Sequence, residues 1–237
     1  MGRAYEVRKA SIQKTGAVKA KLYSTYAKEI YIAAKGHPDP EGNESLRRLI
    51  EKSKKEQIPS DIVKRAIDKA KGGSAEDYLE VIYEGFGPGA STFIIKCLTD
   101  NLNRTVSFVR SAFNKVNKSL GVTNSVSYNY DYLAVVSFKY ANEEEILDYL
   151  LNAGLEIIDI ESVDGEITIT CHPNLIWDVK KSLEALISDL EYTYDEVGMF
   201  PKETIELQGE DQELFIRLLN LLEEIEDVTM VYHNVKH

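Results

Sequence analysis

The sequence predicts an α+β protein of several domains: an N-terminal three-helix domain plus two α+β domains, one of them ferredoxin-like and inserted in the other. Three observations predict it. Basic and acidic residues separate along the chain. Residues 17–71 carry helical periodicity and good helix formers. From residue 79 onward short β-rich runs alternate with helical ones, and 133–201 reads β-α-β-β-α-β.

The charge separation is the first of these. The 237 residues include 28 Lys+Arg and 39 Asp+Glu, a net of −11. Taken whole, such a surface repels phosphate and argues against a nucleic-acid partner. The distribution reverses the argument. Residues 1–75 hold 17 basic and 9 acidic residues, a net of +8, whereas 76–237 hold 11 and 30, a net of −19. A basic module on an acidic body points to nucleic-acid or membrane contact by the basic half. A helical module with lysine-rich solvated faces would give the same count.

Composition narrows the class further. With 43% hydrophobic and 28% charged residues, the chain is globular rather than disordered or fibrous. No apolar run approaches the roughly 18 residues of a transmembrane helix, so no membrane contact through a span is expected. Met1–Glu6 has no apolar run behind its charges, so no signal peptide is expected. Cys97 and Cys171 are too far apart for a CxxC site and read as two reduced thiols of a cytoplasmic protein.

The basic module reads as three helices. Residues 17–35 lack Gly and Pro, are rich in Ala and Lys, and are bounded by Gly16 and Gly36. Val18, Leu22 and Ile30 share one face by multiples of four, as a core stripe should. Lys21, Lys28 and Lys35 recur every seven residues. They drift only about 20° per step and form a stripe roughly 20 Å long that can follow a phosphate backbone. Asp39-Pro40-Glu41 predicts the opening of a second helix, with Leu46, Leu49 and Ile50 inward. Ser60 is the expected N-cap of a third, with Ile62, Ala66, Ile67 and Ala70 inward, ending at Gly72-Gly73. The first fourteen residues carry Arg3, Arg8, Lys9 and Lys14 and little apolar material, and read as an arm that orders on binding. Domain 1–75 follows from this pattern.

The acidic body divides in two. Runs 79–84 and 91–98 predict strands, joined by Gly85-Phe86-Gly87-Pro88-Gly89. A phosphate loop would need a helix N-terminus after the glycines. Here a strand follows, so a hairpin connection is expected. A helix from about Asn101 to Asn117 buries Val106, Val109, Phe113 and Val116 and presents Arg104, Lys115 and Lys118 on another arc. Strand 124–130 comes next. Residues 133–201 then give strand 133–140, helix 143–153, strands 155–161 and 166–171, helix 173–189 and strand 190–196, a split βαβ arrangement. Strand 203–207, helix 210–225 and strand 228–233 are too few for a sheet of their own. They pair with the earlier strands, so 76–132 and 202–237 form one discontinuous domain around the inserted domain 133–201.

Catalytic chemistry has no evident carrier in the sequence. His37, His172, His233 and His237 are scattered, without HxxxH, HExxH or Cys/His ligand spacing. No GxSxG elbow occurs. Glu143-Glu144-Glu145 and Glu223-Glu224 read as helix surface, and Trp177 as a packed ring. Tyr23, Tyr26 and Tyr31 could stack on bases, though packing within the helical module is the plainer expectation. No metal, no cofactor, no catalytic residue and no small-molecule substrate are expected.

Several stretches together resemble the YebC/PmpR family, which includes mitochondrial translational activators of cytochrome oxidase synthesis. They include Met1-Gly2-Arg3-Ala4-Tyr5-Glu6, Lys28-Glu29-Ile30-Tyr31-Ile32-Ala33-Ala34-Lys35, Asp39-Pro40-Glu41 and Tyr83-Glu84-Gly85-Phe86-Gly87-Pro88-Gly89. Thr99-Asp100-Asn101, Asn103-Arg104-Thr105, Phe113-Asn114-Lys115 and the tail Val231-Tyr232-His233-Asn234-Val235 continue the likeness over the full length. Two departures stand out: Tyr5 where many members carry a Trp, and Val116-Asn117-Lys118-Ser119 where a Gly-Gly turn is usual. The resemblance implies a non-enzymatic, cytoplasmic regulator that binds promoter DNA, or alternatively a ribosome-associated translation factor that relieves stalling at proline-rich stretches. The residues expected to meet nucleic acid are Arg3, Arg8, Lys9, Lys14, Lys21, Lys28, Lys35, Arg104, Lys115 and Lys118.

Overall fold

The computed structural model describes residues 17–72 and 78–236, apart from the side chains of 17–20 and 44. Val18 of the expected core stripe therefore lies outside the described side chains, as Arg3, Arg8, Lys9 and Lys14 lie outside the described residues. The chain is α+β, with one helical unit and two four-stranded antiparallel sheets.

Among the described residues three helices come first: α1 (Ala17–Gly36), α2 (Glu44–Lys55) and α3 (Ser60–Lys71). Ile30, Leu46, Ile58 and Ala66 are buried between them, together with the rings of Tyr26 and Tyr31. These tyrosines are core, as the packing expectation has it. The second helix starts later than Asp39-Pro40-Glu41 predicts. Asn43 is its N-cap, accepting from the Leu46 amide at 3.0 Å, while its own amide donates to the Ala33 and His37 carbonyls at 2.8 and 2.7 Å. One side chain thus closes α1 and opens α2. Asp39 instead accepts from the Glu41 amide at 3.1 Å, a local turn that competes with helix. In the third helix Pro59, not Ser60, occupies the cap position, and it makes no side-chain cap.

The first sheet has the order β3-β1-β2-β8, from β1 (Leu79–Phe86), β2 (Thr92–Thr99), β3 (Ser119–Leu120) and β8 (Val228–His233). Helices α4 (Leu102–Asn114) and α7 (Gly209–Glu223) cover one face. Phe93, Ile95, Cys97, Val109, Phe113, Phe215, Leu218 and Leu222 form the core there. The glycine cluster is the β1–β2 connection, as predicted, and its glycines serve packing. A Cβ at Gly85 would stand 2.5 Å from the Phe113 ring, and one at Gly87 2.4 Å from Phe93. Gly89 has φ +56, the left-handed region that suits glycine.

The predicted strand 124–130 is absent. A short β3 pairs with Gly85 and Phe86, and the following loop wraps the Glu84 carboxylate. That carboxylate accepts from the Asn124, Val126 and Ser127 amides at 2.9, 2.6 and 2.9 Å. Backbone donors that would have entered a ladder are satisfied by a side chain. Burial would raise the Glu84 carboxyl, but these amides outweigh it and hold the group below the usual carboxylate range.

The second sheet, β5-β6-β4-β7, comes entirely from β4 (Tyr130–Lys139), β5 (Ile157–Val163), β6 (Glu166–Cys171) and β7 (Tyr192–Pro201). With α5 (Glu143–Asn152) and α6 (Ile176–Leu186), this is the ferredoxin-like arrangement. Alternation along β4 sends Ala134, Val136 and Phe138 to the helix side, against Ile146, Leu150, Val179 and Leu183. It sends Leu133 and Val135 to the other side, with Tyr194 and Phe200. After β7 the chain returns to the first sheet. The predicted strand 203–207 is reduced to one parallel bridge, Ile205 to Val235. Only the short tail after β8 is alongside it, held by the Ile205 amide to the Asn234 carbonyl at 2.8 Å.

Candidate nucleic-acid interface

The expected lysine stripe does not face solvent along its length. Lys28 is 8% exposed, turned from α1 toward the loop before β8. Its ammonium stands 3.3 Å from the Asp227 carboxylate and 4.0 Å from Glu226. Lys21, two turns earlier on the same face, donates to the Glu223 carbonyl at the end of α7. Two members of the predicted stripe thus dock the helical unit on the acidic body. Lys35, at the last turn of α1, is exposed. The stripe is corrected: its spacing holds, but neighbouring elements engage Lys21 and Lys28 and leave only Lys35 exposed.

Asp227 organises this contact. It is 3% exposed and accepts from Arg104 through Nε at 3.3 Å and Nη2 at 2.9 Å, and from the Thr105 hydroxyl at 2.8 Å. Arg104 also donates to Asp100 at 2.7 Å. Burial would raise the Asp227 carboxyl. Hydrogen bonds from Arg104 and Thr105 and the charge of Lys28 prevail and hold it below the usual range. Arg104, predicted to meet nucleic acid, is therefore first a partner of two carboxylates.

The second helix makes a parallel contact. The guanidiniums of Arg47 and Arg48 lie 5.9 and 5.3 Å from the Trp177 ring of α6, and Lys55 lies 5.6 Å from the Tyr192 ring of β7. Such cation–π contacts bring the basic unit against the inserted sheet.

A different set of cations shares an open surface. Lys54 of α2 and Lys64 and Lys71 of α3 line a groove of about 320 Å³ between these helices, beside Pro38 and Pro40. All three lysines are exposed. Ile50, Ile58, Val63 and Ile67 also line the groove, as does Asp68, whose carboxylate stands 3.7 Å from Lys71. Lys64 and Lys71 are seven residues apart, the same spacing that singled out Lys21, Lys28 and Lys35. The signal was present in the sequence, and only burial distinguishes the two sets.

The last predicted cluster lies on α4. Arg104, Phe108, Ser111 and Lys115 fall within about 60° of one another around the helix, opposite the buried Thr105, Val109, Ala112 and Phe113. Phe108 is 53% exposed. Lys115 is exposed and Lys118, beyond the helix end, is half-buried. Among the described residues no group of three or more His, Cys, Asp and Glu could hold a metal ion. No helix among them is long and apolar enough to cross a membrane.

Comparison with known proteins follows the same division of the chain. Residues 3–73 match the family model described as the TACO1/YebC protein N-terminal domain, and residues 78–235 that of the TACO1/YebC second and third domain. The chain belongs to the TACO1/YebC family. A relative from Acholeplasma laidlawii, named "probable transcriptional regulatory protein", is 48% identical over 237 residues, covering 99% of this chain and 98% of the relative. One of the same name from Alteromonas mediterranea is 44% identical over 235 residues, covering 99% and 98%. A crystal structure of a conserved hypothetical protein from Aquifex aeolicus superposes with a TM-score of 0.77 at 34% identity, covering 94% of this chain and 92% of that one. Family membership carries the three-part α+β architecture with it. The names of the relatives describe those proteins as regulators of transcription.

Proposed function

We propose that this chain is a non-enzymatic transcriptional regulator that binds DNA through its basic N-terminal unit. The observation that carries the proposal is the open groove face of α2 and α3, where Lys54, Lys64 and Lys71 converge on the segment whose net charge is +8. The regulator names of the full-length relatives support the same reading. Lysines around a shared groove meet successive phosphates as point charges and release counterions. Phosphate contacts of this kind fix position and carry no base sequence. The body, at −19, is repelled by the same phosphates and orients the basic unit toward them.

Duplex DNA binding measured against salt tests the reading. Affinity falls linearly with the logarithm of salt, and a Lys54→Glu/Lys64→Glu/Lys71→Glu triple variant lowers the slope by about 3, near 0.9 per phosphate lost. An unchanged slope in the triple variant removes this face from the interface. Crosslinking in cells with sequencing of both DNA and RNA identifies the target. Enrichment at promoters is expected. Enrichment on ribosomal RNA instead moves the same phosphate-binding face to the translation-factor alternative.

A further inference from the structure

A second polar cleft lies away from the lysine groove, where α1, α4 and the loop before β8 meet. Its volume is about 270 Å³, and Tyr78, Asp100, Arg104, Phe108 and Glu226 line it above the Lys28–Asp227 pair. That is just below the roughly 300 Å³ at which pockets for whole small molecules begin. A single planar ring system is the scale of ligand it admits.

The chemistry of the walls selects among such rings. Two cations, Lys28 and Arg104, face three carboxylates, Asp100, Glu226 and Asp227, so the lining carries a net of −1. Both cations are already paired, at 3.3 Å for Lys28 and 2.9 Å for Arg104 against Asp227. A phosphate is therefore not stabilised inside. Ring amino groups and ring N–H donors are: Glu226, 81% exposed and 4.0 Å from Lys28, is the more open acceptor, and Asp100, 43% exposed, uses one oxygen on Arg104 at 2.7 Å and offers the other. At the mouth Phe108 holds 53% of its surface in solvent. An aromatic face left open beside acceptors is a stacking platform. Arg104, Phe108, Ser111 and Lys115 then run about 16 Å along one arc of α4, so a strand whose base enters the cleft meets the exposed Lys115 with its backbone.

From these observations we infer that the cleft takes one unpaired nucleobase of a single strand, stacked on Phe108 with its donors on Asp100 and Glu226. The inference rests on the nucleic-acid reading above but uses a separate surface. It would let the protein hold duplex phosphates on α2 and α3 and an unstacked nucleotide on α4.

The test uses the full chain and a short oligothymidylate with one central 2-aminopurine, in deoxyribo and ribo forms, beside a duplex of unrelated sequence. Stacking changes the 2-aminopurine fluorescence on binding. Phe108→Ala abolishes that change and weakens single-strand binding by at least about five-fold, with duplex affinity unchanged. Glu226→Gln weakens it in the same direction. A tighter deoxyribo form assigns the strand to DNA, a tighter ribo form to RNA, and either supports the site. Wild-type single-strand affinity and fluorescence in Phe108→Ala overturn the site while leaving the duplex reading intact. Absence of binding to every probe overturns both. Phe108 is exposed, so the variant keeps the fold, which thermal unfolding verifies.

Discussion

The Lys28 ammonium of α1 stands 3.3 Å from the Asp227 carboxylate, 199 residues further along the chain. Both groups are buried, and Arg104 and Thr105 complete the carboxylate's hydrogen bonds. This pair joins the basic unit to the acidic body and removes Lys28 from the surface that its spacing suggested.

Removing one member of a buried, hydrogen-bonded ion pair leaves the other charge uncompensated. Asp227→Ala is expected to cost about 3 kcal/mol of stability. Lys28→Met, which leaves Asp227 bonded to Arg104 and Thr105 and fills the space with apolar atoms, is expected to cost less. Urea unfolding of the two variants checks the order, and equal losses would contradict the assigned role of Asp227.

Glu84 and Asp227 are both held below the usual carboxylate range, so both contribute stability only while ionised in the native state. Their contribution is complete above the unfolded values, about 4. It is lost as pH falls from there through the lower native values. Urea midpoints measured from pH 6 down to pH 2 are expected to fall most steeply below pH 4. Glu84→Gln and Asp227→Asn each flatten that fall.

The glycines of the β1–β2 connection are a packing requirement. Gly85→Ala places a Cβ 2.5 Å from the Phe113 ring, which is wholly buried and cannot swing away. A loss of about 1–3 kcal/mol is expected from overpacking. A phosphate-loop role predicts lost phosphate binding with stability intact. Thermal unfolding of Gly85→Ala and Gly87→Ala, beside phosphate titration of the native chain, separates the two.

Cys97 and Cys171 are buried in the two different sheet cores, and both are free thiols. Desolvation pushes Cys97 up to about 12 and Cys171 up to about 11. Thiolate is scarce in the native protein, so neither should react with Ellman's reagent until denaturant is added. A native-state reaction of one equivalent within minutes would contradict the burial of that thiol.

Helices and strands were legible where a local pattern decides them. The β-α-β-β-α-β order of 133–201, the 166–171 strand and the start of a helix near Asn101 follow from periodicity and local sequence chemistry within a few residues of each element. The misread segments are those whose backbone is satisfied from a distance. Residues 124–129 look like a strand, but Glu84 collects their amides. Residues 203–207 are strand-like, but only a single rung of the tail reaches them. Among the candidate residues, Lys115 is exposed, Arg104 is engaged by Asp100 and Asp227, and Lys54, Lys64 and Lys71 line a groove that spacing along the chain does not reveal.

By itself the sequence determined the α+β class, the β-α-β-β-α-β order of the inserted unit and the charge contrast of +8 against −19. These are sums and spacings along one chain. Only the tertiary structure decided which cations face outward. Helical spacing fixes the angle of a side chain about its own axis, so Lys21, Lys28 and Lys35 were bound to share a stripe, as were Lys64 and Lys71. It carries no information on what packs against that angle. The loop before β8 covers Lys28 with a carboxylate, while Lys64 and Lys71 line an open groove between α2 and α3.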